Sequence, residues 1–274
     1  MMRITETVKQ LIIINIIFFV GSWIVGQPAV DILALHAPQN DKFQFWQLIT
    51  HMFMHGGIMH IAFNMFALFS FGGLLEQMWG AKKFIFFYVS CGLGSAALHL
   101  GVNYFEMQHV LADAVNLNLS HDTLHQILNV DFSDGTYFRG DLFQAQIEPI
   151  LAKAGKINLV NDNPGSIQSL YNAAAITQSP MLGASGAIYG LLVAFAFMFP
   201  EAPLMLMFIP FPIKAKYFVP GVLAIDLFLG LKGQSIFGFG SDGVAHFAHL
   251  GGALLGFIMM WYWKKNAFNN NRWN

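Results

Sequence analysis

Gly183-Ala184-Ser185-Gly186 stands at the head of one apolar run, and Ala248-His249-Leu250-Gly251-Gly252-Ala253-Leu254-Leu255-Gly256 lies inside another. A hydroxyl nucleophile and an imidazole base, both carried at bilayer depth, point to a helical membrane fold and to hydrolysis within it. The rest of the chain agrees with a polytopic membrane protein. Of its 274 residues 55% are hydrophobic, 15% aromatic and only 11% charged, far from the soluble average. A formal net charge of -1 with no basic tract sets nucleic acid aside as a partner and leaves electrostatics to local loop charges. The single cysteine, Cys91, sits between Val89 and Leu93, so no intramolecular disulfide forms and a buried thiol is expected.

A hydrocarbon core of about 30 Å requires roughly 20 apolar residues per helix. Six stretches approach that, near 10-26, 58-75, 84-102, 183-200, 217-232 and 244-263. The first follows Arg3 and Lys9 as a signal peptide would, but no convincing small-residue cleavage site comes after it, and it reads as a retained span. Six spans place both termini on one side. Arg3, Lys9, Lys82, Lys83, Lys214, Lys216, Lys264, Lys265 and Arg272 fall on the termini and alternate short loops, nine of the 14 basic residues, and that side is expected to be cytoplasmic. Pro200, Pro203, Pro210 and Pro212 break the apolar run Leu204 to Phe211 into an irregular or re-entrant connection. The expected organisation is 1-103 with helices 1-3, 104-179 as a polar extramembrane insertion, 180-263 with helices 4-6, and 264-274 as a cytoplasmic tail. Within the insertion, Phe143, Ile147, Ile150 and Leu151 share one face of a helix over Leu142 to Ala154.

Ser185 follows Pro180 and Gly183 and precedes a continuous apolar run, which puts it in the first turn of the fourth helix, where backbone amides lack intrahelical partners and can receive an oxyanion. Taken alone, Gly-x-Ser-Gly is equally a small-residue packing motif, with Gly186 and Gly190 at i,i+4 allowing close helix approach. His249 alters that balance, because an ionisable residue inside a span is costly and marks function by default. Gly252 and Gly256 lie at i+3 and i+7 from it, so one face carries the base and two close-contact glycines turned toward the fourth helix. No carboxylate is placed obviously enough for a triad. The expectation is a Ser-His dyad in which His249 takes the serine proton and returns it to the leaving amine. Asp226 in the fifth span stays unassigned, and His246 reads as structural and nearer the interface.

His60 and Asn64, at i,i+4 on the second span, are side-chain donors able to converge with the Ser185 amide on one point, as in an oxyanion site. His51 and His55 point elsewhere and read as structural. Tyr189 sits one turn beyond Ser185, where its ring can stack on His249, and Glu76 reads as a cap or crosslink between helices.

Four separated elements together resemble the rhomboid family of intramembrane serine proteases: His51-x3-His55-x4-His60-x3-Asn64, Gly72 to Glu76 with Gly80, Gly183-Ala184-Ser185-Gly186, and Ala248-His249-x2-Gly252-x3-Gly256. The similarity covers about residues 10-103 and 180-263. It implies an all-α six-helix membrane bundle with Ser185 as nucleophile and His249 as base. It further implies His60 and Asn64 in the oxyanion hole, Tyr189 against His249, and Gly183 and Gly186 shaping the nucleophile turn. By the same resemblance the substrates are single-pass membrane proteins cut in or near their span, the lipid bilayer is the working medium, and no metal or organic cofactor is required. Gln47 after Trp46, where many members carry Arg, and the long 104-179 insertion depart from the family pattern.

Other classes remain open. A catalytically silent member would bind membrane clients without cutting them, and a transporter would need inverted halves that are not apparent. A metalloenzyme could use His51-x3-His55 and His246-x2-His249, although no His-Glu-x-x-His occurs. With no organelle-targeting segment in the sequence, a bacterial inner membrane is the expected location.

Overall fold

The structure is a computed structural model, and it describes residues 4-135, 137-204, 211-232 and 244-270. The described chain is predominantly helical. Among the described residues, three helices are long and apolar enough to cross a membrane by length and composition: Glu6–Val25, Ile58–Trp79 and Ala81–Ala112. The helices Ser185–Met198, Ala215–Lys232 and Val244–Asn270 follow, and here they are called the serine, aspartate and histidine helices.

The first helix begins at Glu6, several residues before its apolar run, because its start is capped from a distance. The Glu76 carboxylate accepts from the backbone amides of Thr7 at 3.1 Å and Val8 at 3.0 Å and from the Thr5 hydroxyl, satisfying donors that a helix cannot bond itself. Its outward residues are apolar; Trp23 is 80% and Ile24 78% exposed, as on a lipid-facing surface. The second helix carries a π-helical stretch over Leu68–Gly72. There the backbone widens by one residue per turn and Gly72 is crowded by Val8, Leu68 and Phe84.

The contact pattern divides the chain into two compact units. The first comprises Met1–Ala34, Leu48–His99 and Met181–Asn274. Its core gathers Val8, Met52, Leu68, Leu75, Phe84, Phe87, Tyr88, Cys91, Ile188 and Leu191, so the lone cysteine is a fully buried free thiol. The second comprises Leu35–Gln47 and Leu100–Pro180. It has its own core around Phe132, Phe143, Ile147, Leu151 and Leu170. The amphipathic helix expected over Leu142 to Ala154 runs Gly140–Lys153 and buries Phe143, Ile147 and Leu151 at i, i+4 and i+8. Gln47 is fully buried in this unit: its side-chain oxygen accepts from the His36 and Gln44 amides at 3.3 and 3.1 Å, and its nitrogen donates to the Lys42 carbonyl at 2.8 Å. A neutral amide thus clasps the loop.

The proline-rich connection falls largely on 205-210, outside the described residues. On either side of it, Pro203–Leu204 pairs antiparallel with Ile213–Lys214, and Glu201 binds Lys214 at 2.8 Å and Lys216 at 2.5 Å. The two lysines, Lys214 first, hold the exposed Glu201 carboxyl down at about 2.

Candidate active site

The serine helix begins at Ser185, and Gly183 two residues earlier has φ +124°, a conformation that L side chains rarely adopt. Its amide donates to the His51 carbonyl at 2.9 Å, which ties the turn to the segment before the second helix. Space is equally restrictive. A Cβ on Gly183 would come within 2.8 Å of His60 Nε2, so the imidazole lies directly beside the turn that presents Ser185. The first helical bond closes from the Ile188 amide to the Ala184 carbonyl at 3.1 Å, leaving the amides of residues 185 to 187 outside the helical ladder.

Close packing of backbone on backbone brings the histidine helix to the serine helix. A Cβ on Gly252 would overlap the Gly186 carbonyl, and one on Gly256 would stand 2.8 Å from Gly190 Cα. The two glycine pairs therefore set the separation of the helices. At that separation His249 Nε2 is 2.9 Å from Ser185 Oγ. The Tyr189 ring lies parallel to the imidazole, with centroids 4.3 Å apart and 11° between planes. Ser185, His249, Tyr189, His60, Gly183 and Gly186 thus come together around one turn.

Asn64 is buried on the second helix, and its Nδ2 has no hydrogen-bond partner among the described residues. A buried donor left empty costs free energy unless something occupies it in the working state. His51 and His55 are buried as well. The His55 ring meets that of His60 edge-on at 5.0 Å; burial, reinforced by the His60 charge, lowers its pKa to about 4.

Asp226, which the sequence leaves unassigned, stands close to the histidine. Asp226, on the aspartate helix and almost wholly buried, has Oδ2 at 3.5 Å from His249 Nδ1 and Oδ1 at 2.5 Å from His246 Nδ1. His246 is correspondingly buried against Asp226. The signal available in sequence was a lone acid inside an apolar run, but its partners lie 20 and 23 residues away. The same three residues, Asp226, His246 and His249, offer ligand atoms within 4.8 Å of one another. A divalent ion bound there would engage His249; the His51 and His55 pair does not contribute.

Comparison with known proteins finds a family likeness. A family model described as Rhomboid domain matches residues 42–112 and 156–266. An uncharacterized mitochondrial rhomboid protein of Schizosaccharomyces pombe is 24% identical over 232 residues, 82% of this chain and 53% of that protein. Rhomboid protease GluP of Bacillus subtilis is 42% identical over 55 residues, 20% of this chain and 11% of that protein. The chain thus spans about half the length of the first relative and about a tenth of the second.

Proposed function

The chain belongs to the rhomboid family of integral membrane proteins, and from that premise we propose that it is an intramembrane serine endopeptidase with Ser185 as nucleophile and His249 as base. The observation that carries the reading is the 2.9 Å approach of His249 Nε2 to Ser185 Oγ in the first turn of an apolar helix. Ser185 Oγ attacks the scissile carbonyl carbon while its proton passes to Nε2. The oxyanion that forms is met by the free Ser185 amide, the Asn64 amide nitrogen and His60. The imidazolium then gives its proton to the departing amine as the C–N bond breaks, leaving an acyl ester on Ser185. A water, deprotonated by Nε2, attacks the ester; the acid product leaves and the proton returns to Oγ.

The substrates are single-pass membrane proteins within the lipid bilayer, cut in or near the span. In this reading the chain has six spans, and the basic residues Lys82, Lys83, Lys214 and Lys216 favour a cytoplasmic side, in a bacterial cell, for their loops and both termini. Residues 104-179 are the extramembrane insertion on the opposite side, from which water reaches Ser185. A catalytically silent client binder is the alternative. The Asp226, His246 and His249 cluster also keeps a metal-bound state in view.

Fluorophosphonate labelling of the detergent-solubilised chain, followed by cleavage of a reconstituted single-span reporter, tests the proposal. Wild type is expected to label and cleave, and Ser185→Ala and His249→Ala to do neither. A folded wild type that neither labels nor cleaves supports the client binder instead, and stoichiometric zinc in the purified chain supports the metal-bound state.

A further inference from the structure

Two buried polar atoms of the first unit that lack hydrogen-bond partners among the described residues face each other. His249 Nδ1 and Asp226 Oδ2 are both buried and otherwise unpaired, and they stand 3.5 Å apart. That separation is at the outer edge of a hydrogen bond, yet each atom needs a partner and each has the other within reach. Catalytic hydrogen bonds are commonly long in the empty enzyme and tighten around substrate. The remainder of the carboxylate is held: Oδ1 by His246 Nδ1 at 2.5 Å. Its side chain is 3% exposed, so it cannot be held by bulk water. A buried charge persists only when its lone pairs are met, and here two imidazoles of the histidine helix converge on it.

Resting on the proposed hydrolysis, we propose that Asp226 is a positioning residue that completes a Ser185-His249-Asp226 line. By accepting the Nδ1 proton it fixes the tautomer in which Nε2 is free to take the serine proton, and it stabilises the imidazolium that forms. His246 keeps the carboxylate from turning away, while the Tyr189 ring holds the imidazole from its face. The alternative, an acid that merely joins the aspartate and histidine helices, makes different demands. Asn at 226 keeps the shape and one acceptor but also offers a donor toward Nδ1, which favours the wrong tautomer.

The test uses the full chain in detergent and in liposomes, comparing wild type, Asp226→Asn and Asp226→Glu. Expected for Asp226→Asn is a fall in kcat of about 100-fold or more with KM changed by less than about threefold, in line with loss of a correctly oriented base. Asp226→Glu, which keeps the carboxylate, is expected to recover at least about a tenth of the wild-type kcat. The 15N shifts of the imidazole, assigned by their loss in His249→Gln, should show the proton on Nδ1 in wild type and its redistribution in Asp226→Asn. A folded Asp226→Asn with wild-type kcat and an unchanged His249 tautomer overturns the proposal. So does equal loss of kcat and thermal stability in the Asn and Glu variants with the tautomer unchanged. A wild type inert to reporter and fluorophosphonate defeats the hydrolytic reading instead, while the tautomer measurement still decides whether Asp226 orients His249.

Discussion

Single side chains in this protein are readable by what they leave unsatisfied. Asn64 Nδ2 is buried with no partner among the described residues, so its removal strips nothing from the resting fold but takes a donor from the oxyanion. Asn64→Ala should lower kcat by about 100-fold or more, roughly 3 kcal/mol of transition-state stabilisation, while the thermal midpoint moves little. An equal loss of stability would show that Asn64 serves the fold. His55 makes a second residue-scale prediction through pH. Burial, with the His60 charge in support, lowers its pKa from 6.5 to about 4, so between those values the unfolded chain binds the proton and the folded chain does not. The stability contributed by neutral His55 is complete above about pH 6.5 and is lost as pH falls toward 4, at up to about 1.4 kcal/mol per pH unit. Thermal unfolding in detergent should show that slope in wild type and a shallower one in His55→Gln; identical slopes would exclude His55 as its source. The spacing of His60 and Asn64 made a donor pair legible in sequence, whereas the emptiness of Asn64 is a property of its surroundings.

Between elements, glycine decides which helices can touch. Gly252 and Gly256 meet Gly186 and Gly190 backbone to backbone, with no room for a Cβ at either, and the 2.9 Å approach of base to nucleophile depends on that distance. Gly252→Ala is expected to cost about 1–3 kcal/mol through overpacking and to abolish labelling of Ser185, since the added methyl pushes His249 away. Gly21, in the first helix with nothing within 4 Å of its Cβ position, is the control. Gly21→Ala should leave labelling intact and stabilise by roughly 0.5–1 kcal/mol. Retained labelling in Gly252→Ala, measured beside that control, would refute the account of the helix contact. The glycine spacing announced a close contact in sequence, and the contact runs to the helix that the spacing indicated. The cap on the first helix is the opposite case: Glu76 lies about 70 residues from Thr7 and Val8, so no local pattern around Thr5 reveals why the helix begins there.

At the scale of the whole molecule, two units have separate cores. Phe143 packs edge-on to Phe132 at 5.1 Å and to Tyr171 at 5.4 Å in the second unit. Phe143→Ala should destabilise that unit by about 3–5 kcal/mol. Amide exchange is expected to accelerate across residues 117-174 while the serine and histidine helices keep their protection; uniform acceleration would mean that the two cores unfold together. The family model leaves residues 113–155 between its two matched stretches, which locates what this chain adds to the common pattern. Sequence alone determined the membrane class, the apolar helices, and the serine, histidine and glycine positions. Each of these is written in composition or in spacing along a single helix, where the 3.6-residue period converts sequence into a face. Tertiary structure alone decided that Asp226 and His246 stand behind His249, that Glu76 caps the first helix, and that Asn64 keeps an empty donor. Those depend on which faces of different helices meet, and packing between helices leaves no period in the chain for a reader to find.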